Sequence, residues 1–240
     1  MKKLFFLTFV FFFTMSFTDK PISTNKELGK PWWKTALVDA GGALGGAGSV
    51  GSLIGPAIST PVGVGACVLG GVLGGASASV GYAGMIEPSN PGGVSPQNPL
   101  NTLDDIGSKH NDLVNDFIRD NNEITAAGYF SYVSENKDKY GEGEMYLTEE
   151  FFSNQLQEVS ALNETSEILD YIGSKLPASV NKENFKAELS KIANSSTPEE
   201  FISKTKNFEN QFFESNSFEK ADEVALKAFF STLRFSASIW

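Results

Sequence analysis

The sequence predicts an all-α protein in which a glycine-rich helical hairpin is followed by an acidic bundle of amphipathic helices. The first observation behind this prediction is a stretch of 47 residues, 40–86, that contains 15 glycines and no charged side chain. The second is the helical spacing of apolar residues throughout residues 103–240. The third is the scarcity of β-branched runs with alternating polarity, which would indicate strands. An all-helical architecture accounts for all three observations.

The chain opens with the features of an exported protein. Lys2 and Lys3 precede an apolar run, residues 4–13, and small polar residues follow it, which is the pattern of a secretory signal peptide. This run is too short for a comfortable membrane span. We therefore predict a signal peptide over residues 1–18, with an uncleaved anchor as the alternative. The protein is expected in the periplasm or cell envelope, either membrane-associated or secreted.

A polar lead-in, residues 19–35, ends in two adjacent tryptophans, Trp32 and Trp33, which are flanked by Lys30 and Lys34. Tryptophan beside lysine suits a membrane–water boundary, because the indole ring is apolar but carries one polar N–H group. The alternative is that the two tryptophans anchor the following hairpin against the folded domain.

Residues 36–86 are predicted to form a glycine-rich helical hairpin. Pro56 and Pro61 divide it into two arms, and at about 1.5 Å rise per residue each arm is long enough to cross a hydrocarbon core of about 30 Å. Glycines four residues apart line one face of a helix and allow two backbones to approach closely. The glycines in this pattern are Gly41 and Gly45, Gly42 and Gly46, Gly51 and Gly55, Gly70 and Gly74, and Gly71 and Gly75.

The hairpin is expected to associate with a membrane or, through Gly41, Gly45, Gly71 and Gly75, with a second copy of the chain. The alternatives are packing against its own C-terminal domain or another protein, and a largely disordered segment. Disorder is an alternative because each glycine costs roughly 1 kcal/mol in a helix relative to alanine. The only cysteine, Cys67, lies in this segment. It cannot form an internal disulfide and is interpreted as a small apolar residue.

A proline-rich linker, residues 87–102, leads to a helical domain over residues 103–240. Seven amphipathic helices are predicted there, around 103–117, 123–135, 152–159, 168–176, 185–192, 198–212 and 218–233. Thr197 followed by Pro198 is a strong helix start signal. The aromatic residues after the last helix, including Trp240, are expected to pack back onto the bundle.

The charge distribution argues against nucleic acid as a partner. The formal net charge is −10, and the segment from residue 100 onward carries 13 Lys and Arg against 25 Asp and Glu, a balance of −12. Binding to a phosphate backbone requires a basic face, which this segment lacks. A membrane or a protein of the cell envelope is therefore the expected partner.

No catalytic or metal-binding constellation is evident, and we predict neither enzymatic activity nor a cofactor. His110 is the only histidine, and its neighbours one turn away, Ile106 and Val114, are not metal ligands. We interpret it as a structural histidine with a neutral, hydrogen-bonded ring, and we expect the adjacent Asn111 to face water. A hydrolase that uses His110 with a nearby carboxylate is the catalytic alternative.

The adjacent Trp32 and Trp33, the glycine-faced hairpin and the motif that runs from Gly107 through His110 and Asn111 carry a resemblance. Together these features resemble a group of uncharacterised exported bacterial proteins, in which a signal peptide and a glycine-zipper segment precede a helical domain. The resemblance spans most of the mature chain and implies no activity. The hairpin alone is similar to bacteriocin-like peptides that permeabilise membranes. This chain lacks their double-glycine leader and adds a long acidic domain.

These observations lead to one functional prediction and one alternative. The chain is expected to be an exported cell-envelope protein, not an enzyme, that associates with a membrane or with partners through its glycine-zipper hairpin. Permeabilisation of a competitor's membrane falls within this prediction. The alternative is a soluble exported binding module whose hairpin packs on its own helical bundle.

Overall fold

The structure, a computed structural model, describes residues 31–84, 86, 93, 95–120 and 124–240. The described residues form α-helices and short 3₁₀ helices without any strand, so the predicted all-α class is confirmed. The predicted signal peptide, most of the lead-in and part of the linker lie outside the described residues. The helices are α1 (Trp32–Ile54), α2 (Pro61–Ala83), α3 (Asp105–Asp120), α4 (Ala126–Asn136), α5 (Glu149–Ser160), α6 (Thr165–Lys175), α7 (Lys182–Ala193), α8 (Pro198–Ser215) and α9 (Lys220–Ser236), with 3₁₀ helices at Gly55–Ser59 and Lys137–Lys139.

The two glycine-rich helices, α1 and α2, pack antiparallel, and we call them the helix pair. A Cβ atom added at Gly46 would collide with the backbone carbonyl of Gly70, and one added at Gly42 would collide with that of Gly74. Backbones can approach this closely only where no side chain separates them. Gly55, with a positive φ of 51°, ends α1. The 3₁₀ helix that begins there reverses the chain direction.

Four amphipathic helices, α3, α5, α6 and α9, surround the helix pair, and we call them the shell helices. α1 lies against α6 and α9, and α2 lies against α3, α5 and α9. α4 packs on α5, whereas α7 and α8 connect α6 to α9. Buried apolar residues of the helix pair and of the C-terminal helices belong to one continuous hydrophobic core. Segments that differ strongly in composition therefore fold together.

Length and composition would allow each helix of the pair to cross a membrane. The apolar windows of α1 and α2 have mean hydropathies of 1.2 and 1.6, yet 67% and 83% of their residues are buried within the protein. The core helices of a water-soluble fold have the same apolar character. In this structure the shell helices cover most of the apolar surface of the pair.

Local sequence signals explain where several outer helices begin. Thr125, Thr148 and Thr197 each accept a hydrogen bond from the backbone N–H three residues later, at the starts of α4, α5 and α8. This is the role of an N-cap residue. Pro198 occupies the first turn of α8, as the sequence predicted. The seven C-terminal helices lie where the apolar periodicity predicted them.

Phenylalanine rings fill the interface between α7, α8 and α9. Phe185 of α7 contacts Phe208 and Phe212 of α8 and Phe229 and Phe230 of α9, with ring centroids 5.3 to 5.9 Å apart. Aromatic pairs of this kind contribute about 0.5–1.5 kcal/mol each beyond the area they bury. One buried ring therefore holds three helices together.

A buried ion network joins the segment before α3 to α8 and α9. Arg234 of α9 is completely buried, and it donates to Glu209 at 3.0 Å and to Asp104. Glu209 also accepts hydrogen bonds from the side-chain amides of Asn98 and Asn101, both at 2.7 Å. Burial raises the pKa of Glu209, and the positive charge of Arg234 opposes this shift. Each charge in the network has a partner, which is the condition for burying it at tolerable cost.

Replacement of Arg234 by methionine is expected to lower the free energy of unfolding by roughly 3–5 kcal/mol, because Glu209 would remain buried without its cation. The double variant Arg234→Met/Glu209→Gln should be more stable than Arg234→Met alone, since a neutral amide removes the unpaired charge. Urea denaturation followed by circular dichroism measures both effects. Equal stability of Arg234→Met and the unchanged protein would contradict the prediction.

Candidate functional site

The glycines that are spaced four residues apart, for which the sequence predicted close helix contacts, fall into two sets with different contacts. Gly42, Gly46, Gly70 and Gly74 lie between α1 and α2, where the two backbones touch. The four-residue spacing therefore places bare backbone on the facing sides of both helices. These glycines are therefore used for contact inside the helix pair.

The second set of glycines contacts the shell helices. Gly41 faces Tyr171 and Ile172, Gly45 faces Lys175, Gly71 faces Ala228 and Gly75 faces His110, and the last two also face Ala43 of α1. Self-association through these four glycines stays a prediction; in this structure three of them are buried and Gly45 is partly exposed. Nearer the turn, Gly51 faces Ala221 of α9, whereas a Cβ added at Gly55 would meet no atom within 4 Å.

Trp32 and Trp33 are half-buried at the start of α1. The Trp32 ring makes an edge contact with Phe201 of α8, with centroids 5.3 Å apart. Nζ of Lys34 lies 5.7 Å from the centroid of the Trp33 ring. Both indoles pack against the hydrophobic core. This arrangement corresponds to the alternative in which the tryptophans anchor the helix pair to the folded domain.

The turn between α1 and α2 is the most exposed part of the helix pair, and we call residues 53–62 the tip. Leu53 is 67% exposed and Val62 is 72% exposed. Pro56 and Ala57, which are also exposed, extend this apolar surface. No residue of the tip carries a charge. Isolated exposed apolar residues are common, but an exposed apolar turn without any charge indicates a contact surface.

A buried carboxylate lies at the other end of α1 from the tip. Asp39 is completely buried, and its Oδ2 accepts hydrogen bonds from Ser79 Oγ at 3.1 Å, Ser236 Oγ at 2.5 Å and Trp240 Nε1 at 3.2 Å. Nε2 of His110 lies 3.6 Å from the same oxygen. Residues from α1, α2, α3 and the C-terminal end of α9 therefore meet at one carboxylate. A polar network of this kind fixes the relative positions of the elements that contribute to it.

The ring of His110 is held by its neighbour in sequence. Nδ2 of Asn111 donates to the carbonyl of Phe235 at 2.9 Å, which leaves Oδ1 to accept from Nδ1 of His110 at 2.9 Å. The ring proton is therefore assigned to Nδ1, and Nε2 has no hydrogen-bond partner. The prediction that Asn111 faces water was wrong. Its side chain is 8% exposed because it connects α3 to the end of α9.

Burial shifts the pKa values of the two titrating groups in opposite directions. It raises the pKa of Asp39 to about 7, although three hydrogen-bond donors favour the charged form. It lowers the pKa of His110 to about 4. Between these values the folded protein holds one proton on the Asp39 carboxyl beside a neutral imidazole, so the cluster has no net charge. In the unfolded chain, with ordinary pKa values of 3.8 and 6.5, that proton resides on His110.

The structure does place a carboxylate beside His110, as the hydrolase alternative required. Both side chains are 0% exposed, however, so the cluster faces no cleft. Among the described residues, no group of three or more His, Cys, Asp or Glu side chains could hold a metal ion. No protein-family model, no curated protein and no solved structure matches the chain. The function of this protein is therefore inferred from its own geometry.

Two features escaped the sequence analysis. Asp39 had a visible signal, because it is the only acidic residue of α1 and precedes 47 uncharged residues. Its partners Ser79 and Trp240 lie 40 and 201 positions away, and no local pattern connects them to it. The tip was visible only as the connection between Pro56 and Pro61. Its exposure depends on the positions of the shell helices, which bury most of the rest of the pair.

Replacement of Gly46 or of Gly48 by alanine should change the free energy of unfolding in opposite directions. At Gly46 an added Cβ collides with the backbone of Gly70, so Gly46→Ala is expected to lower the free energy of unfolding by roughly 1–3 kcal/mol. At Gly48 an added Cβ meets no atom within 4 Å, so Gly48→Ala should stabilise by roughly 0.5–1 kcal/mol through helix propensity. Urea denaturation measures both, and a shift in the same direction would refute the assigned packing.

The Asp39–His110 cluster predicts opposite pH dependences for two single variants. The folded pKa of Asp39 is raised, so its contribution to stability is complete below about 3.8 and falls as pH rises towards about 7. The folded pKa of His110 is lowered, so its contribution is complete above about 6.5 and falls as pH drops towards about 4. In the unchanged protein the two contributions oppose each other between these limits.

Relative to the unchanged protein, Asp39→Asn should therefore gain stability as pH rises from 4 to 6.5, and His110→Gln should lose it. Each difference is expected to reach roughly 3 kcal/mol across this window. Urea denaturation at a series of pH values provides the measurement. Differences between proteins are compared because other carboxylates, such as Glu209, titrate in all three. Parallel stability profiles for the three proteins would show that the cluster does not exchange a proton on folding in this way.

Proposed function

We propose that this chain is an exported cell-envelope protein that attaches peripherally to a lipid surface through the tip, residues 53–62. The observation that carries the proposal is the exposure of Leu53 and Val62 in a segment without charge. Burial of one such side chain contributes roughly 1.5–3 kcal/mol, so two of them support weak, reversible attachment. The signal-like pattern of residues 1–18 supports export.

Attachment through the tip fits the structure better than insertion of the whole helix pair. Insertion of α1 would remove Asp39 from Ser236 and Trp240, and it would transfer a hydrogen-bonded carboxyl group into hydrocarbon. Insertion would also separate the glycines of both helices from the shell helices that now cover them. Contact through the tip leaves each of these interactions in place.

Charges near the tip bear on the kind of lipid that it would contact. Gly51 lies beside Ala221, which stands between Lys220 and Asp222, so the charges next to this contact have both signs. The chain as a whole has a formal net charge of −10. Anionic headgroups would be repelled at low ionic strength. Zwitterionic or neutral lipids are the preferred surface.

A protein partner is the second candidate for the same surface. The burial of 83% of the apolar window of α2 favours this alternative, because the protein then needs no lipid to satisfy its helix pair. An envelope protein with an apolar groove, or the tip of a second copy, would cover Leu53 and Val62 equally well. The exported chain would then act as a soluble binding module.

Flotation of the full chain with phosphatidylcholine vesicles tests the lipid proposal. The variant Leu53→Ser/Val62→Ser should reduce the vesicle-bound fraction by about tenfold or more, because it removes the apolar contacts that hold the tip in the bilayer. Leu100→Ser is the matched control, since Leu100 is also 67% exposed but lies beside Asn101, in the segment held by the Arg234 network. Vesicles that contain phosphatidylglycerol should bind less protein at low salt.

Two outcomes of the flotation experiment would contradict the lipid proposal. One is a folded protein that does not float with any vesicle, and the other is a double variant that binds as well as the Leu100→Ser control. The first result leaves the protein-binding alternative, and the second places the contact with lipid outside the tip. Fractionation of cells that carry an epitope after Trp240 tests export separately, and recovery of the product in the cytoplasm would contradict that part of the proposal.

A further inference from the structure

The polar side chains of the tip form their hydrogen bonds within the turn itself. Ser59 and Thr60 are the only polar side chains of residues 53–62. Oγ of Ser59 donates to the carbonyl of Pro56 at 2.5 Å. Oγ1 of Thr60 donates to the carbonyl of Ala57 at 2.7 Å and accepts from the backbone N–H of Gly63 at 3.1 Å. Both hydroxyl protons are therefore already used, which lowers the cost of removing these groups from water.

The backbone of the tip also has few free donors. Pro56 and Pro61 carry no N–H group. The N–H of Gly55 donates to the carbonyl of Gly51, and the N–H of Thr60 donates back into the 3₁₀ helix at 3.0 Å. A segment can enter an apolar environment only where its backbone polar groups are satisfied internally. The tip meets this condition better than an open loop would.

The tip is fixed in position by the hydrophobic core. Ile58, in the 3₁₀ helix, is 7% exposed and belongs to the core. A Cβ atom added at Gly63 would collide with the carbonyl of Ala57, so the first turn of α2 packs directly on this 3₁₀ helix. Leu53 and Val62 therefore belong to a preorganised turn, and their binding to a partner costs little conformational entropy.

The size and charge of the tip favour lipid over a protein as its partner. The tip comprises ten residues and has two strongly exposed large side chains, Leu53 and Val62. A stable protein interface uses roughly 20–30 residues on each side. The tip carries no charge and no free hydroxyl proton, so it offers neither an ion pair nor a hydroxyl donor to a lipid headgroup. Contact with the apolar interior of the bilayer remains as the source of affinity.

We propose that the tip recognises packing defects of a lipid bilayer, where acyl chains are exposed to water between the headgroups, and that it does not recognise a particular headgroup. This inference rests on the proposed attachment to lipid and adds the membrane property that is recognised. Leu53 and Val62 enter the defect as a shallow wedge, while the shell helices stay outside the bilayer. Interfacial binding through apolar side chains depends on membrane curvature and lipid composition. Highly curved membranes, whose outer headgroups are spread apart, are therefore the preferred surface.

Flotation of the full chain with dioleoylphosphatidylcholine vesicles of two sizes tests this proposal, because the acyl chains and the headgroup stay the same. Partitioning per accessible lipid should be about fivefold or more greater for vesicles of about 30 nm diameter than for vesicles of about 400 nm diameter. Equal partitioning would overturn the packing-defect proposal and leave the attachment through the tip intact. Absence of binding to vesicles of both sizes would contradict the attachment itself, and this proposal with it.

Exchange of the headgroup at high salt provides a second test. At about 0.5 M salt the Debye length is about 4 Å, so the net charge of −10 no longer controls binding. Replacement of about a third of the phosphatidylcholine by dioleoylphosphatidylglycerol in the small vesicles should then change partitioning by about twofold or less. A larger headgroup preference in either direction at this salt concentration would show that a headgroup is bound and would overturn the proposal.

Two single variants in the 3₁₀ helix test whether the polar groups of the tip are satisfied internally. Ser59→Ala removes a hydroxyl that already bonds to the carbonyl of Pro56, so partitioning into the small vesicles should change by about twofold or less. Ala57→Gln places a hydrated amide on the exposed surface of the tip, so partitioning should fall about tenfold. A larger change in Ser59→Ala, or unchanged partitioning of Ala57→Gln, would overturn the proposal.

Sedimentation velocity of the full chain without lipid tests the competing occupant, which is the tip of a second copy. A monomer is expected at micromolar concentration, because the tip is too small for a stable protein interface. A dimer that the Leu53→Ser/Val62→Ser variant converts to a monomer would assign the tip to self-association and would overturn the proposal.

Discussion

Contact between two bare helix backbones is the constraint on which the rest of this structure depends. At Gly42, Gly46, Gly70 and Gly74 the helices of the pair approach more closely than any side chain would allow. Glycine also weakens an isolated helix by roughly 1 kcal/mol per residue, so the two helices need support from outside. The shell helices supply it by joining the apolar residues of the pair to one common core. The glycine-rich composition therefore causes both the close packing of α1 against α2 and the dependence of this pair on the shell helices.

Because the glycines of α2 lack side chains, residues of α4 and α5 can form hydrogen bonds with the backbone of this helix. The hydroxyl of Tyr129 donates to the carbonyl of Leu73 at 2.9 Å, and the amide of Gln155 donates to the carbonyl of Gly74. These carbonyls lie within a helix, and small neighbouring residues leave their second lone pairs accessible. Hydrogen bonds of this kind orient α4 and α5 on the pair. They also leave Oε1 of Gln155 buried without a hydrogen-bond partner.

The helices and their starts were predictable because the signals for them are local. Apolar residues at helical spacing and a threonine followed by proline at Thr197 act within one or two turns of chain. The partners of the glycines were not predictable. Gly41 and Gly42 are adjacent in sequence, yet the first contacts α6 and the second contacts α2. Four-residue spacing indicates that something approaches closely, but not whether it is the other arm, a shell side chain or lipid.

The buried polar groups were hidden for a related reason. Gln155 and Tyr171 look like ordinary residues of amphipathic helices, and each has a buried oxygen without a partner because of the way α5 and α6 meet the helix pair. Asp39 stood out by its charge, but its donors come from distant parts of the chain. Information about such sites is distributed over the whole sequence. One window of residues therefore predicts a helix but not the site to which that helix contributes.

The bonds from Asp39 to Ser236 and Trp240 span 197 and 201 positions of the chain. The ribosome synthesises α1 first among the described helices and α9 last. Asp39 is therefore made long before Ser236 and Trp240, two of its three hydrogen-bond donors. Contacts between such distant residues form slowly, and the incomplete chain exposes apolar surface until they do. During most of its synthesis the polypeptide therefore presents an uncharged, glycine-rich segment without its cover. A holding chaperone, or prompt transfer across the membrane in an extended form, would protect it over that interval.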